Sequence, residues 1–338
     1  LKDNTGYIVL TKFTEKASFE TKAALLELKK QGATKIILDL RGNGGGYLSA
    51  ATAIADQFLP ENKLIVFTKG LHEPRTDYTA TSSGMFENGK LIILVDEGTA
   101  SASEIVAGAI QDLDRGTIIG RRSFGKGLVQ EQFAFDDGSA MNLTVARYYT
   151  PSGRSIQKSY SNGKEAYYEE INKRFNHGNY SSIDSSLNDT LFLKAAKFKT
   201  AKGRTVYGAG GILPDIFVPL DTTMYTTFFK KVINKGLIND YVYNYLTKKV
   251  KPTDYANASD FVNRFNFGTQ DYNQFLNYCS SKKIEIDSKS TKLSRQIITI
   301  QIEALLAKFY FGDEGFYRAI STDDDFILKA IQKIKNPA

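Results

Sequence analysis

The first 120 residues alternate short β-branched runs with segments of helical period, which restricts the chain to a largely parallel sheet covered by helices. Residues 7–13 read as a strand. Residues 18–32 read as a helix, with Phe19, Ala23, Leu25, Leu26 and Leu28 at helical spacing and Gly32 as the stop. Residues 35–40 form a buried strand that runs straight into Arg41-Gly42-Asn43-Gly44-Gly45-Gly46. A second helix is expected over 48–58, ending before Pro60, and further buried strands over 64–68 and 91–95. A helix then opens near Ser101, with Ile105, Val106, Ala109, Ile110 and Leu113 along one side, and 117–119 is another strand.

The middle of the chain changes character. Asp136-Asp137-Gly138 is a turn between extended runs, and Met141, Leu143 and Val145 alternate with polar or small residues as in a half-buried strand. Residues 157–200 are polar and rich in Ser, Asn and Tyr, an insertion expected to carry one short helix over 165–175. Strand and turn signals return over 206–219. Beyond residue 221 glycines thin out and helical segments dominate, notably 293–311 and 326–334. With 338 residues the chain is long enough for two domains, expected at 1–220 and 221–338.

Composition narrows the chemistry. The net charge is +7, and residues 222–338 hold 17 Lys and Arg against 12 Asp and Glu, scattered singly or in pairs. That is a solvated surface without the basic face and reader motif of a nucleic-acid binder, so no nucleic-acid partner is expected. One cysteine, Cys279, excludes an internal disulfide and a Cys-built metal site, and two histidines are too few for zinc. Chemistry without a metal or other cofactor is expected. No run reaches the roughly 18 apolar residues of a membrane span, nor is there a signal peptide. Leu1, in place of an initiator Met, is read as the start of a trimmed or processed piece.

A serine hydroxyl needs a neighbour to take its proton. Neither His72 nor His177 has a convincing partner, so a Ser-His-Asp triad is not expected, and a Ser-Lys pair is the arrangement the sequence allows. Ser101 lies where a strand gives way to a helix, in the positive field of free backbone N–H groups. Ser101-Ala-Ser-Glu104 also fits a capping box, a purely structural use of the same residues. Ser103 should face another way. Lys126 follows Gly120-x-x-x-x-Gly125, but Gly127 replaces the Ser or Thr of a phosphate loop. Ser123-Phe-Gly-Lys126 matches S-x-x-K, but the glycines disfavour the helix that motif needs. A solvated loop lysine remains the bland alternative. Phe124, Leu128 and the glycines point instead to an amine tucked against packed backbone, where burial would disfavour its charged form and suit it to act as a base. The run Gly42 to Gly46 fails the dinucleotide fingerprint at Tyr47, but such a turn can aim N–H groups at one point as an oxyanion hole.

Taken in order, five stretches resemble the carboxy-terminal processing (tail-specific) serine proteases. They are Asp39-Leu40-Arg41-Gly42-Asn43-Gly44-Gly45-Gly46, Gly98 to Asp112, Gly120 to Gly127, Tyr149-Thr-Pro-Ser-Gly153-Arg154-Ser-Ile156, and Gly210-Gly211-Ile212-Leu-Pro214-Asp215. The resemblance covers roughly residues 5–220. It implies a crotonase-like α/β core of βα units followed by a mainly helical C-terminal domain. It implies Ser101 as nucleophile, Lys126 as general base and Gln130 to orient the amine. The Ala102 N–H, with that of Gly44 or Gly45, would hold the oxyanion, and Glu104 is divided between capping and a supporting role. Unfolded or C-terminal polypeptide substrates and a bacterial cell-envelope location go with the family. Its usual peptide-binding PDZ module would lie ahead of this chain. Two rivals stay open: a catalytically silent peptide-binding protein on the same fold, and a crotonase-type acyl-CoA enzyme using the glycine-rich turn.

Overall fold

The computed structural model describes residues 1, 3–176, 180 and 195–336. His177 and much of the 157–200 insertion lie outside the described residues. The chain divides into two compact units, Leu1–Pro219 with Lys329–Ala338, and Leu220–Leu328.

In the first unit, β1 (Thr5–Val9), α1 (Ala17–Lys30), β2 (Lys35–Asp39), α2 (Leu48–Asp56), β3 (Leu64–Lys69), β4 (Thr76–Thr79), β5 (Lys90–Val95), α3 (Ala102–Asp112) and β6 (Thr117–Gly120) follow in order. Next come β7 (Leu128–Ala134), β8 (Ala140–Tyr149), α4 (Gly163–Asn176), β9 (Lys197–Lys199), β10 (Thr205–Tyr207) and β11 (Ile216–Phe217). A five-stranded sheet has the order β1-β2-β5-β6-β11, and every pair in it is parallel. Its inner strands are apolar almost throughout, as a parallel sheet covered on both faces requires: Ile36, Ile37, Leu38, Ile93, Leu94 and Val95 are fully buried. Every residue of α3 is buried, and α2 packs against both α1 and α3.

The strand expected at 64–68 forms, but not in the parallel sheet. It is β3, and it pairs antiparallel with β4 and β8 in a second sheet of order β4-β3-β8-β7. The reason is connectivity. A parallel partner needs a crossover of a dozen or more residues, whereas only a short loop separates β3 from β4. The β7–β8 hairpin turns at Gly138, whose φ is +83°.

The second unit is helical. Helices Thr227–Asn234, Ala258–Arg264, Thr269–Ser281 and Ser288–Ile320 enclose Phe228, Phe261, Phe267, Phe275, Ile298, Ile302 and Leu306. The longest of these breaks at Gly312, where φ is +64°. Burial pushes the Cys279 thiol up to about 12, so it stays a neutral core group. The unit expected to run to residue 338 stops at Leu328. The final residues rejoin the first unit, where Ala330 and Ile334 are buried and Ile334 C=O accepts from Lys90 Nζ at 2.6 Å. Among the described residues no helix is long and apolar enough to cross a membrane.

Candidate active site

Parallel strands deliver their carboxyl ends to one edge of a sheet, where sites on α/β folds form. Neighbours β2, β5 and β6 end there in register, Asp39 opposite Leu94 and Val95 opposite Gly120. The turns that follow them are the three glycine-bearing stretches singled out above. Asp96 ties the first two together: its Oδ1 accepts from Gly42 N at 2.8 Å and Gly98 N at 3.0 Å. Burial raises this carboxyl above its ordinary value, against those hydrogen bonds.

Asn43 locks the glycine turn against the start of α3. Its carbonyl accepts from Ala100 N at 3.0 Å and from Ser103 Oγ at 2.9 Å. Its side-chain Nδ2 donates to Leu10 C=O at 2.6 Å, and its Oδ1 accepts from Gly45 N at 2.9 Å. Gly45, with φ +98°, lies so close that a Cβ there would meet Ser101 Cβ at 2.8 Å and Ala102 N at 2.9 Å. Ser101 itself, the residue before α3, has φ +57° and ψ −118°. A non-glycine residue held there is strained by about 1–3 kcal/mol, and such strain gathers at functional turns. Among the described residues neither Gly44 N–H nor Ala102 N–H has a hydrogen-bond acceptor. The first N–H groups of a helix have no partner within it, so Ala102 N–H is available by construction.

Glu104 binds the second and third turns into one object. It is fully buried. Its Oε2 accepts from Ser101 N and from Lys126 N, both at 2.9 Å. Its Oε1 accepts from Gly125 N at 2.8 Å and, over a short contact, from Ser123 Oγ. One carboxylate therefore grips the backbone at both Ser101 and Lys126. Burial pushes its pKa up to about 7, opposed by those four hydrogen bonds. Tyr148 on β8 does the same from the carbonyl side, donating from its hydroxyl to Lys126 C=O at 2.6 Å and Ser101 C=O at 3.1 Å. Lys126 Nζ donates to Gln130 Oε1 on β7 at 3.0 Å. The Lys126 side chain is half-buried rather than enclosed, since its amine opens on a cavity.

That cavity, of about 960 Å³, is lined by Gly44, Gly46, Ser101, Ala102, Lys126, Gln130 and Tyr148, with Phe13, Leu48, Ile105 and Leu128 as apolar wall. Ser123 faces Glu104, not Lys126, so S-x-x-K has no catalytic geometry here. His72 is exposed on a loop remote in sequence from these turns. No group of three or more potential metal ligands occurs among the described residues. Sequence reading did not single out Asn43 or Tyr148 as site residues. The glycine run flanking Asn43 could have flagged it, whereas Tyr148 carries no local signal.

Residues 4–163 match the pattern of peptidase family S41, and residues 228–312 match a family of unknown function. Among curated relatives, the carboxyl-terminal-processing protease of Synechocystis sp. is 44% identical over 155 residues, covering 46% of this chain and 36% of that protein. The carboxy-terminal-processing protease of Bartonella bacilliformis is 41% identical over 162 residues, covering 46% and 37%. Among solved structures, a photosystem II D1 C-terminal processing protease is 40% identical, covers 45% of this chain and 39% of that one, and has a TM-score of 0.42. The chain spans about a third of the length of the curated relatives it matches, from 30% to 37%.

Proposed function

From the match of residues 4–163 to peptidase family S41, we propose that the chain is a serine endopeptidase working through a Ser101–Lys126 dyad on unfolded or C-terminal polypeptide segments. The observation that carries the reading is the shared grip of Glu104 on the Ser101 and Lys126 backbones, at the rim of one cavity that both side chains line. In this reading the Lys126 amine, oriented by Gln130, takes the Ser101 proton as Oγ attacks a peptide carbonyl. The lysine then returns that proton to the leaving amine. An acyl-serine remains, and water hydrolyses it with Lys126 again as base. The developing oxyanion is held by Ala102 N–H and Gly44 N–H, because Gly45 N–H already serves Asn43. A crotonase-like layout of the parallel sheet belongs to the same proposal, supported by the sheet order; the bacterial cell-envelope location is proposed from the family resemblance alone.

The test is to incubate the protein with an unfolded polypeptide and map the products by mass spectrometry, with and without Ser101→Ala. New termini that appear with the wild type alone support the reading; termini that persist in the variant overturn it.

Two glycines give a paired prediction. Gly45→Ala puts a methyl group on backbone at φ +98° and into Ser101 and Ala100. It is expected to cut cleavage by about 10²-fold through displacement of the nucleophile. Gly42→Ala meets open space at φ +65°. It is expected to cost only the backbone strain, about 1 kcal/mol, with cleavage kept within a few-fold. Steady-state rates and urea melts of the two variants check this.

A further inference from the structure

Residues 122–126 carry Lys126 without belonging to any strand or helix, so each of their backbone hydrogen bonds needs a partner elsewhere. The N–H groups of residues 123–126 are taken by the core. Ser123 N donates to Ile212 C=O at 3.0 Å and Phe124 N to Thr99 C=O at 2.9 Å, while Gly125 N and Lys126 N go to Glu104. The carbonyls are taken by other groups. Arg174, in the last turn of α4, donates from Nη1 to Ser123 C=O at 2.8 Å and Arg122 C=O at 3.3 Å, and from Nη2 to Phe124 C=O at 3.3 Å. Lys158 N donates to Gly125 C=O at 3.0 Å. One guanidinium thus satisfies three successive carbonyls just ahead of the lysine.

Arg174 is itself held. Glu170, one turn earlier, accepts from Arg174 Nε at 2.6 Å and Nη2 at 2.7 Å, and from Lys158 Nζ at 3.3 Å, with Arg122 also paired to it. Burial alone would raise Glu170; Arg174, Arg122 and Lys158 outweigh it and hold the carboxyl below its ordinary value. Arg174 is only 2% exposed. A buried ionic cluster is a weak device for stability, since apolar replacements of similar volume often do as well. A planar fork of donors matched to consecutive carbonyls is a device for fixing a backbone.

We propose that Arg174, braced by Glu170, is a positioning residue: by holding the carbonyls of residues 122–124 it fixes where the segment delivers the Lys126 amine. The inference rests on the Ser101–Lys126 reading. Peptide cleavage needs the lysine both to take the serine proton and to protonate the leaving amine, whereas an activated ester has a leaving group that needs no proton. A misplaced amine therefore slows peptide cleavage more than ester hydrolysis. A fraction of unfolded protein slows both equally.

The experiment measures both reactions, an unfolded polypeptide and a p-nitrophenyl ester, for wild type, Arg174→Met, Arg174→Lys and Glu169→Ala. The last breaks only the exposed Glu169–Lys173 pair on the same helix. Arg174→Met is expected to lose about tenfold or more in peptide cleavage and under about threefold on the ester. Arg174→Lys should fall between it and the wild type, and Glu169→Ala should match the wild type. Equal losses in the two reactions, or peptide cleavage at the wild-type rate, overturn the proposal. If Arg174→Met does not fold, the same ratio in Arg174→Lys decides. Peptide cleavage that survives Ser101→Ala would instead sink the dyad reading itself.

Discussion

On the proposed dyad, Ser101→Ala and Lys126→Met are each expected to lower polypeptide cleavage by about 10⁴-fold or more, because a nucleophile and its base would act as a unit and losing either would cost nearly as much as losing both. The double variant is therefore expected to be scarcely worse than either single one. Additive losses would show that the two side chains do not act on one reacting centre. The same residue also predicts a stability effect of opposite sign. Ser101 sits at φ +57°, a conformation that alanine tolerates no better than serine but glycine adopts freely. Ser101→Gly should be more stable than Ser101→Ala by about 1 kcal/mol or more, although both lack the hydroxyl. Urea melts of the pair check this. Equal stabilities would mean that the turn is not strained.

Glu104 gives the second large effect. Glu104→Ala leaves Ser101 N–H, Gly125 N–H, Lys126 N–H and the Ser123 hydroxyl without the acceptor they share. An orphaned buried donor costs about 1–3 kcal/mol, so a loss of about 4 kcal/mol or more is expected. That is a large part of the 5–15 kcal/mol that holds a typical domain together. The isosteric Glu104→Gln is milder, but its amide presents two hydrogens to groups that are themselves donors. It should still lose most of the cleavage activity, because the Ser101 and Lys126 backbones no longer meet on one carboxylate.

The same buried carboxyl sets a pH dependence. Its folded value is about 7 against an ordinary 4.5, so between those two the folded chain keeps a proton that the unfolded chain has released. Stability contributed by this group is complete below about pH 4.5, falls as pH rises toward 7, and levels off above it, by about 3 kcal/mol in all. Urea melts at pH 5, 6, 7 and 8 should show that slope in the wild type and lack it in Glu104→Gln. Identical slopes would assign it to other groups.

Much of this was legible because the chemistry sits in local patterns. The runs 35–40 and 91–95 announced buried strands through their lack of alternation, and the glycines of 42–46 and 120–127 marked backbone that only a turn explains. Ser101, Lys126, Gln130, Ala102 and Gly44 were reached through those stretches and line one cavity, whereas Gly45 and Glu104, reached in the same way, do not. What stayed hidden depends on contacts distant in sequence. Residues 64–68 read as one more buried strand, and nothing local says that β8, some eighty residues later, claims one of its edges. The proposed preference for Gly44 over Gly45 depends on a side chain, Asn43, whose amide oxygen already accepts from the Gly45 N–H. Tyr148 and Arg174 look like an ordinary strand tyrosine and helix arginine. Their roles come from carbonyls 22 to 52 positions away. The end of the chain misled for a similar reason, because a helical period is the same whichever core receives it.

Whether Lys126 activates Ser101 is open to direct test by an intact-mass measurement. Wild type, Ser101→Ala and Lys126→Met are mixed at neutral pH with a slowly hydrolysed acylating ester, quenched in acid and weighed, and the adduct is mapped by peptide digestion. Activation of Ser101 by Lys126 is expected to give one acyl group on Ser101 in the wild type, none at that position in Ser101→Ala, and a large drop in Lys126→Met. An adduct on another residue, or full acylation of Ser101 without the lysine, would contradict it.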